Sequence, residues 1–194
     1  TVFEGGGLTQ GVVWVSAVPA ANIPVSLASS DLSEIEVPES VIVPSGQTSA
    51  VFTVTTVDDT LIDGPQTATL TAHVQNWTDG NAAITVLDNE SSNLLVTLPA
   101  SALENAGTLT NAGAVRLSGT LPTNLLVSLL SSDLTAATVP PSVTIPGGQF
   151  SAAFSITFVD DLSVDGSQRV TVTASAPGFT DGAASMTVLD DETP

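Results

Sequence analysis

The sequence predicts an all-β fold: two tandem immunoglobulin-like β-sandwiches of about seven strands each. Three observations carry this reading. The chain repeats itself. Val57-Asp58-Asp59, followed by Asp63-Gly64, returns as Val159-Asp160-Asp161, followed by Asp165-Gly166, and Val86-Leu87-Asp88-Asn89-Glu90 returns as Val188-Leu189-Asp190-Asp191-Glu192. The spacing of about 100 residues is that of a domain, so two copies of one module lie in series. The local pattern is strand: Ala50, Phe52 and Val54 share one face, as do Ala152, Phe154, Ile156 and Phe158. Alternation of this kind in Val-, Thr- and Phe-rich segments marks half-buried strands. Finally, Gly, Pro and Asp turns punctuate the chain and no segment has a 3.6-residue period, which points to a sandwich. The copies are assigned to residues 1–90 and 91–194.

The elements follow in order. In the first copy, strands are expected at 12–18, 24–29, 41–44, 50–57, 67–75 and 81–87. In the second they are expected at 114–118, 126–131, 143–146, 152–158, 169–175 and 183–189. Turns fall at Pro44-Ser45-Gly46, Asp63-Gly64-Pro65, Asp79-Gly80, Pro146-Gly147-Gly148 and Asp181-Gly182. Glu4 matches Glu104 with two residues fewer between the copies, which places a length difference in the Gly-rich stretch after Glu4. The second copy opens with a strand at Asn93–Pro99; the first has only Thr1–Phe3 before Glu4 and lacks most of that opening strand. The chain is therefore expected to be a window of a longer array, with an exposed edge on its first module. Trp77 and Phe179 stand at equivalent positions and are expected to plug the core. Trp14 faces no aromatic counterpart, since Arg116 replaces it, and His73 reads as a solvated strand residue.

Composition narrows the function classes. Twenty acidic residues stand against two basic ones, Arg116 and Arg169, for a formal charge of -18. Such a chain repels nucleic-acid phosphates and anionic membrane surfaces. Hydrophobic residues nevertheless make up 42% and charged residues only 11%, so the chain can bury a core and is not a disordered polyanion. Cysteine is absent, which removes thiol chemistry and a disulfide scaffold. No apolar run is long enough to insert in a membrane. One histidine, no lysine and no tyrosine leave few groups for catalysis, so no enzymatic activity is expected.

The repeated carboxylates need another explanation. Asp58 and Asp59 end a long strand, Asp63 lies in the next connection, Asp88 and Glu90 follow the last strand, and Glu4 follows the first. Strand ends gather at one pole of a sandwich, where several carboxylates repel unless they are neutralised. Ca²⁺ accepts six to eight oxygens in irregular geometry and suits loops. Zn²⁺ is disfavoured by the lack of Cys and His, and Mg²⁺ by its reluctance to occupy an all-carboxylate cage.

These residues resemble the Calx-β family, calcium-binding β-sandwich modules found in sodium–calcium exchangers, integrin β4 and large bacterial surface proteins. The resemblance covers nearly the whole chain. It is carried by the Pro-x-Gly-x-Thr/Ser turn before a long strand, the Val-Asp-Asp end, the acidic residue that follows, and the terminal Asp-Asn/Asp-Glu. It implies calcium ligation by Glu4, Asp58, Asp59, Asp63, Asp88 and Glu90, and by Glu104, Asp160, Asp161, Asp165, Asp190, Asp191 and Glu192. Asp31 and Asp133 are added as weaker matches. Gln66 and Gln168 stand where the exchanger modules carry another acid, and Asn89 thins the first terminal run, so about one to three ions per module at extracellular affinity are expected.

The resulting expectation is a calcium-binding structural or adhesive repeat of an extracellular or cell-surface protein, with calcium and neighbouring repeats as partners and the joint near residues 88–93 stiffened by the ion. The alternatives are a recognition module for glycan or surface protein, and a filament subunit joined by strand complementation. The Asp79-Gly80 and Asp181-Gly182 pairs read as turns rather than ligands. The sequons at Asn76 and Asn89 are of the kind that a Ser/Thr-rich chain produces by chance.

Overall fold

The computed structural model describes residues 1–192. The chain divides into two compact units, Thr1–Asn89 and Glu90–Pro194. Each is a two-sheet, immunoglobulin-like β-sandwich built almost entirely of strands.

In unit 1 the strands are β1 (Val2–Phe3), β2 (Leu8–Trp14), β3 (Ile23–Ser29), β4 (Ile35–Glu36), β5 (Ser40–Val43), β6 (Ser49–Thr56), β7 (Gln66–His73) and β8 (Gly80–Leu87). One sheet has the order β1-β8-β7-β3-β5 and the other β2-β6-β4. In unit 2 the strands are β9 (Leu95–Thr97), β10 (Ser101–Leu103), β11 (Thr108–Arg116), β12 (Leu125–Ser131), β13 (Ala137–Thr138), β14 (Ser142–Ile145), β15 (Ser151–Phe158), β16 (Gln168–Ser175) and β17 (Gly182–Leu189). Its sheets run β10-β17-β16-β12-β14 and β13-β15-β11-β9. The two topologies match strand for strand, except that β9 has no counterpart among the described residues of unit 1.

The alternating residues read from the sequence form the core. Val54 is buried on β6, as are Phe154, Ile156 and Phe158 on β15. From the facing sheets come Val25, Val43 and Ala68 in unit 1, and Val127, Ile145, Val170 and Val172 in unit 2. Each aliphatic side chain of this size contributes roughly 1.5–3 kcal/mol when fully buried. One cross-strand device recurs: Gly11 pairs with Phe52 and Gly113 with Phe154. A Cβ on Gly113 would lie 2.4 Å from the Phe154 ring, so the aromatic covers a position where only glycine leaves room.

Four expectations are corrected. The first long strand spans Leu8–Trp14, not 12–18: Thr9 and Gln10 carry no apolar signal but pair with Val54 and Thr53 of β6, while Val18 ends up 63% exposed. The two-residue length difference lies inside β11, not in the Gly-rich stretch. The β11–β15 register jumps between Leu109 and Gly113, and the bulge is accommodated by Asn111 at φ 55°. The opening strand is not continuous over 93–99. It breaks after Thr97, and the chain changes sheets: β9 pairs antiparallel with β11, then β10 pairs parallel with β17. Val2–Phe3 of unit 1 corresponds to β10, beyond the expected strand, since β1 pairs parallel with β8 as β10 does with β17. Finally, Trp77 is 49% exposed and does not plug the core. Its ring lines an opening where unit 2 has β9.

Candidate metal centre

The strand ends that carry the acidic motifs do converge. In unit 2, carboxylate oxygens of Glu104, Asp160, Asp191 and Glu192 all lie within 4.8 Å of one another. Glu104 arrives at the end of β10 in a short 3-10 turn, Glu104–Ala106. Asp160 follows β15, and Asp191 and Glu192 follow β17. Glu104 is only 4% exposed, and its Oε1 has no hydrogen-bond donor. No arginine or histidine pairs with any of the four among the described residues. Burial of an ionised carboxyl without a compensating donor or cation is costly. The strain appears in Glu192, whose carboxyl is pushed up to about 7, first by its hydrogen bond with Glu104, then by desolvation and the Asp191 charge. Asn105 Nδ2 donates to Asp191 Oδ2 and orients that carboxylate.

The neighbouring acids play a supporting part. Asp190 Oδ2 accepts the Gly166 N–H at 2.6 Å and its Oδ1 accepts the Glu192 N–H at 2.9 Å. The first of these bonds holds its carboxyl below the usual range. Asp190 thus ties the 159–166 loop to the end of β17. Asp161 Oδ1 accepts the Ser163 N–H at 2.6 Å, and Asp165 Oδ2 accepts from Gln168 Nε2 at 2.8 Å. Asp133 is engaged by its own turn through Thr135 N and Oγ1, which lowers its carboxyl. None of Asp133, Asp161, Asp165 and Asp190 joins the four clustered carboxylates.

Unit 1 repeats the plan with substitutions. Oxygens of Glu4 and Asp88 also lie within 4.8 Å of each other. Glu4 is 6% exposed and its Oε1 accepts the Asn89 N–H at 3.1 Å. Asp88 Oδ2 accepts the N–H groups of Asp63 and Gly64, at 3.1 and 2.9 Å, the same loop clamp as Asp190. Asp58 is not in this group. Its Oδ1 accepts from Asn89 Nδ2 at 2.8 Å, so an amide meets it where unit 2 has the Asp191 carboxylate. Gly5 makes the close approach possible: at φ 59°, a Cβ there would stand 2.6 Å from Asp58 Oδ1. Asp59 turns back to the Leu61 N–H at 2.6 Å, and Asp31 to Ser33 N and Oγ. Burial, then the charges of Asp59 and Asp88, raises Asp63.

One acidic residue escaped the sequence reading. Glu34 is 4% exposed, and its carbonyl accepts the Val57 N–H at 2.9 Å, next to the Asp58-Asp59 pair. Burial raises its carboxyl most, followed by the charges of Asp63, Glu4, Asp31 and Asp59. Its counterpart is Ala136, so a comparison of the two copies discards it. The available signal was its place three residues after Asp31 in a segment matched by Asp133.

The unit 2 group fits a calcium ion on its own geometry. Oxygens that share a cation at about 2.4 Å lie at most about 5 Å apart, which accommodates the observed 4.8 Å limit. The donors are all hard oxygens, and two of the carboxylates, Glu104 and Glu192, each keep a buried oxygen without a hydrogen-bond partner. Magnesium, at about 2.1 Å, would draw the same carboxylates closer together and keeps more of its water.

No family model matches the sequence, and no curated protein matches it. Among solved structures, the chain is similar to the calcium binding domain CBD12 of CALX1.1, at 12% identity over 90% of this chain and 76% of that one, with a TM-score of 0.39. It is similar to the D00-D0 domain of intimin at 14% identity, over 97% and 95% of the two chains, with a TM-score of 0.39. A protocadherin gammaB7 EC3-6 structure is similar at 10% identity, over 100% of this chain and 45% of that one, with a TM-score of 0.41. The assignment to a β-sandwich rests on the strand order described above. No helix among the described residues is long and apolar enough to cross a membrane.

Proposed function

We propose that this chain is a non-catalytic, calcium-binding structural module of an extended extracellular or cell-surface protein. The observation that carries the reading is Glu104: buried, with one oxygen lacking any donor, and gathered with Asp160, Asp191 and Glu192. Glu104, Asp160, Asp191 and Glu192 would hold the ion. When bound, it supplies the positive charge that the four carboxylates lack. The residues themselves do the structural work. Asp190 fixes the loop after β15 to the end of β17, and Asn105 aims Asp191. Neutralising the group orders the acidic segment that leaves the last strand, which is how such a module would resist extension. In unit 1, Glu4 and Asp88, with Glu34, Asp58 and Asp59 beside them, form a thinner version of the same site. We assign it the weaker affinity because Asn89 replaces an acid.

Calorimetric titration with calcium tests the proposal. The expected result is saturable binding that is weakened in Glu104→Gln and Asp160→Asn. Heats no larger than those of dilution in the unsubstituted protein would refute it.

A further inference from the structure

The chain enters unit 2 along β9 and β10 and leaves it along β17, just as it leaves unit 1 along β8 shortly before Glu90. The entering and leaving strands of unit 2 are neighbours. β10 pairs parallel with β17, Ser101 with Thr187, Ala102 with Val188 and Leu103 with Leu189, and the Thr187 N–H donates to the Ala100 carbonyl at 3.1 Å. Because the two strands run the same way, tension on the chain pulls β10 toward its start and β17 toward its end. The pair is therefore loaded in shear. A parallel ladder has evenly spaced bonds, so a load along the strands is shared among them and they must break together. A load applied at one end of the pair would break them one at a time.

The surroundings make β10 the strand that has to slip. β17 is fastened on its other side to β16, from Gln168↔Val188 to Ala174↔Gly182. β10 lies at the edge of its sheet. Ahead of it, β9 is held by β11, with Leu94 and Val96 buried. Leu103 and Leu189 face each other across the end of the ladder and cover it with apolar surface. The carboxylate group straddles the slip line just beyond: Glu104 follows β10 directly, whereas Asp191 and Glu192 follow β17. Sliding β10 toward its start carries Glu104 away from the other two. A slip of one residue moves it about 3.3 Å, enough to break a calcium–oxygen contact of about 2.4 Å.

We infer that unit 2 is a load-bearing module: β10 and β17 form a shear clamp against tension along the chain, and a cation held by Glu104, Asp160, Asp191 and Glu192 locks the far end of that clamp. The clamp stands on the strand pairing alone, while the lock rests on the calcium reading proposed for this site. Without the ion, like charges on the two strands favour the slip.

Single-molecule force spectroscopy on the full chain tests this. The sequence has no cysteine, so a substituted one gives a unique attachment point. With the second attachment at a C-terminal tag, Ser92→Cys loads the pair in shear, and Ala106→Cys, just past β10, loads the same pair from one end. Both positions are exposed. In EDTA the rupture force should be at least about twofold higher for Ser92→Cys, since forced unfolding follows the barrier that the loaded bonds set. Saturating calcium should raise the Ser92→Cys force further, and adding Glu104→Gln should remove that increase. Equal forces in the two geometries in EDTA would overturn the clamp. If calorimetry shows calcium binding but the shear force does not rise with calcium, the lock is overturned. If the protein binds no calcium and the two geometries still differ, the calcium reading fails and the clamp stands.

Discussion

Removing one carboxylate from the unit 2 group should change stability in opposite directions with and without calcium. Glu104→Gln is the informative substitution, because Glu104 is buried, lacks a donor at Oε1, and has a carboxylate oxygen within 4.8 Å of those of Asp160, Asp191 and Glu192. Without calcium, the amide relieves repulsion and can donate to Glu192, so the melting temperature of unit 2 should rise. With calcium, the unsubstituted protein gains a linkage term of about 2.7 kcal/mol at a hundredfold excess over the dissociation constant. For extracellular-type affinity, about 10 mM calcium reaches that excess. A domain of this size shifts by about 4–8 °C per kcal/mol, so the expected rise is roughly 10–20 °C. If the substitution weakens binding about tenfold, the linkage term at the same calcium concentration falls to about 1.4 kcal/mol and the shift is halved. Differential scanning calorimetry in EDTA and in calcium measures both effects. The reasoning fails if calcium leaves the melting of the unsubstituted protein unchanged, or if Glu104→Gln lowers the melting temperature in EDTA as a simple packing defect would.

Three further outcomes follow from the structure. Asn89→Asp replaces the amide that donates to Asp58 with a carboxylate, as at Asp191. Unit 1 should then melt lower in EDTA and gain a larger calcium shift, read by the same calorimetry. Acidification should stabilise calcium-free unit 2: the Glu192 carboxyl ionises near 7 when folded against an ordinary 4.5, so the folded state holds an extra proton between those values. That stability is fully present below about 4.5 and is lost as pH rises through 7; in saturating calcium, where protons compete with the ion, the trend should reverse. Gly113→Val should destabilise unit 2 by about 1–3 kcal/mol in urea unfolding, because its Cβ would drive the Phe154 ring from the core.

Much of the fold could be read from the sequence because it depends on local rules. Alternation of Ala152, Phe154, Ile156 and Phe158 gives a strand and its buried face, and the period of two leaves little freedom in register. Repetition gave the copies and brought Asp160, Asp191 and Glu192 forward as acids that a core does not need. The misread parts depend on partners. Thr9 and Gln10 become strand because β6 pairs with them, the change of sheet after Thr97 depends on β17 offering an edge, and the bulge at Asn111 lies opposite a strand without one.

The sequence by itself determined the all-β character, the duplication and the inventory of carboxylates, since each follows from residue type and spacing along the chain. Tertiary structure decided which carboxylates meet. It drew Glu104, Asp160, Asp191 and Glu192 together, turned Asp133, Asp161 and Asp165 toward local donors, and buried Glu34, which repetition had hidden. It also left Trp77 49% exposed while burying Leu94 and Val96. The reason is physical: burial and electrostatic repulsion depend on distances between residues far apart in sequence, and those distances exist only once the sheets have packed.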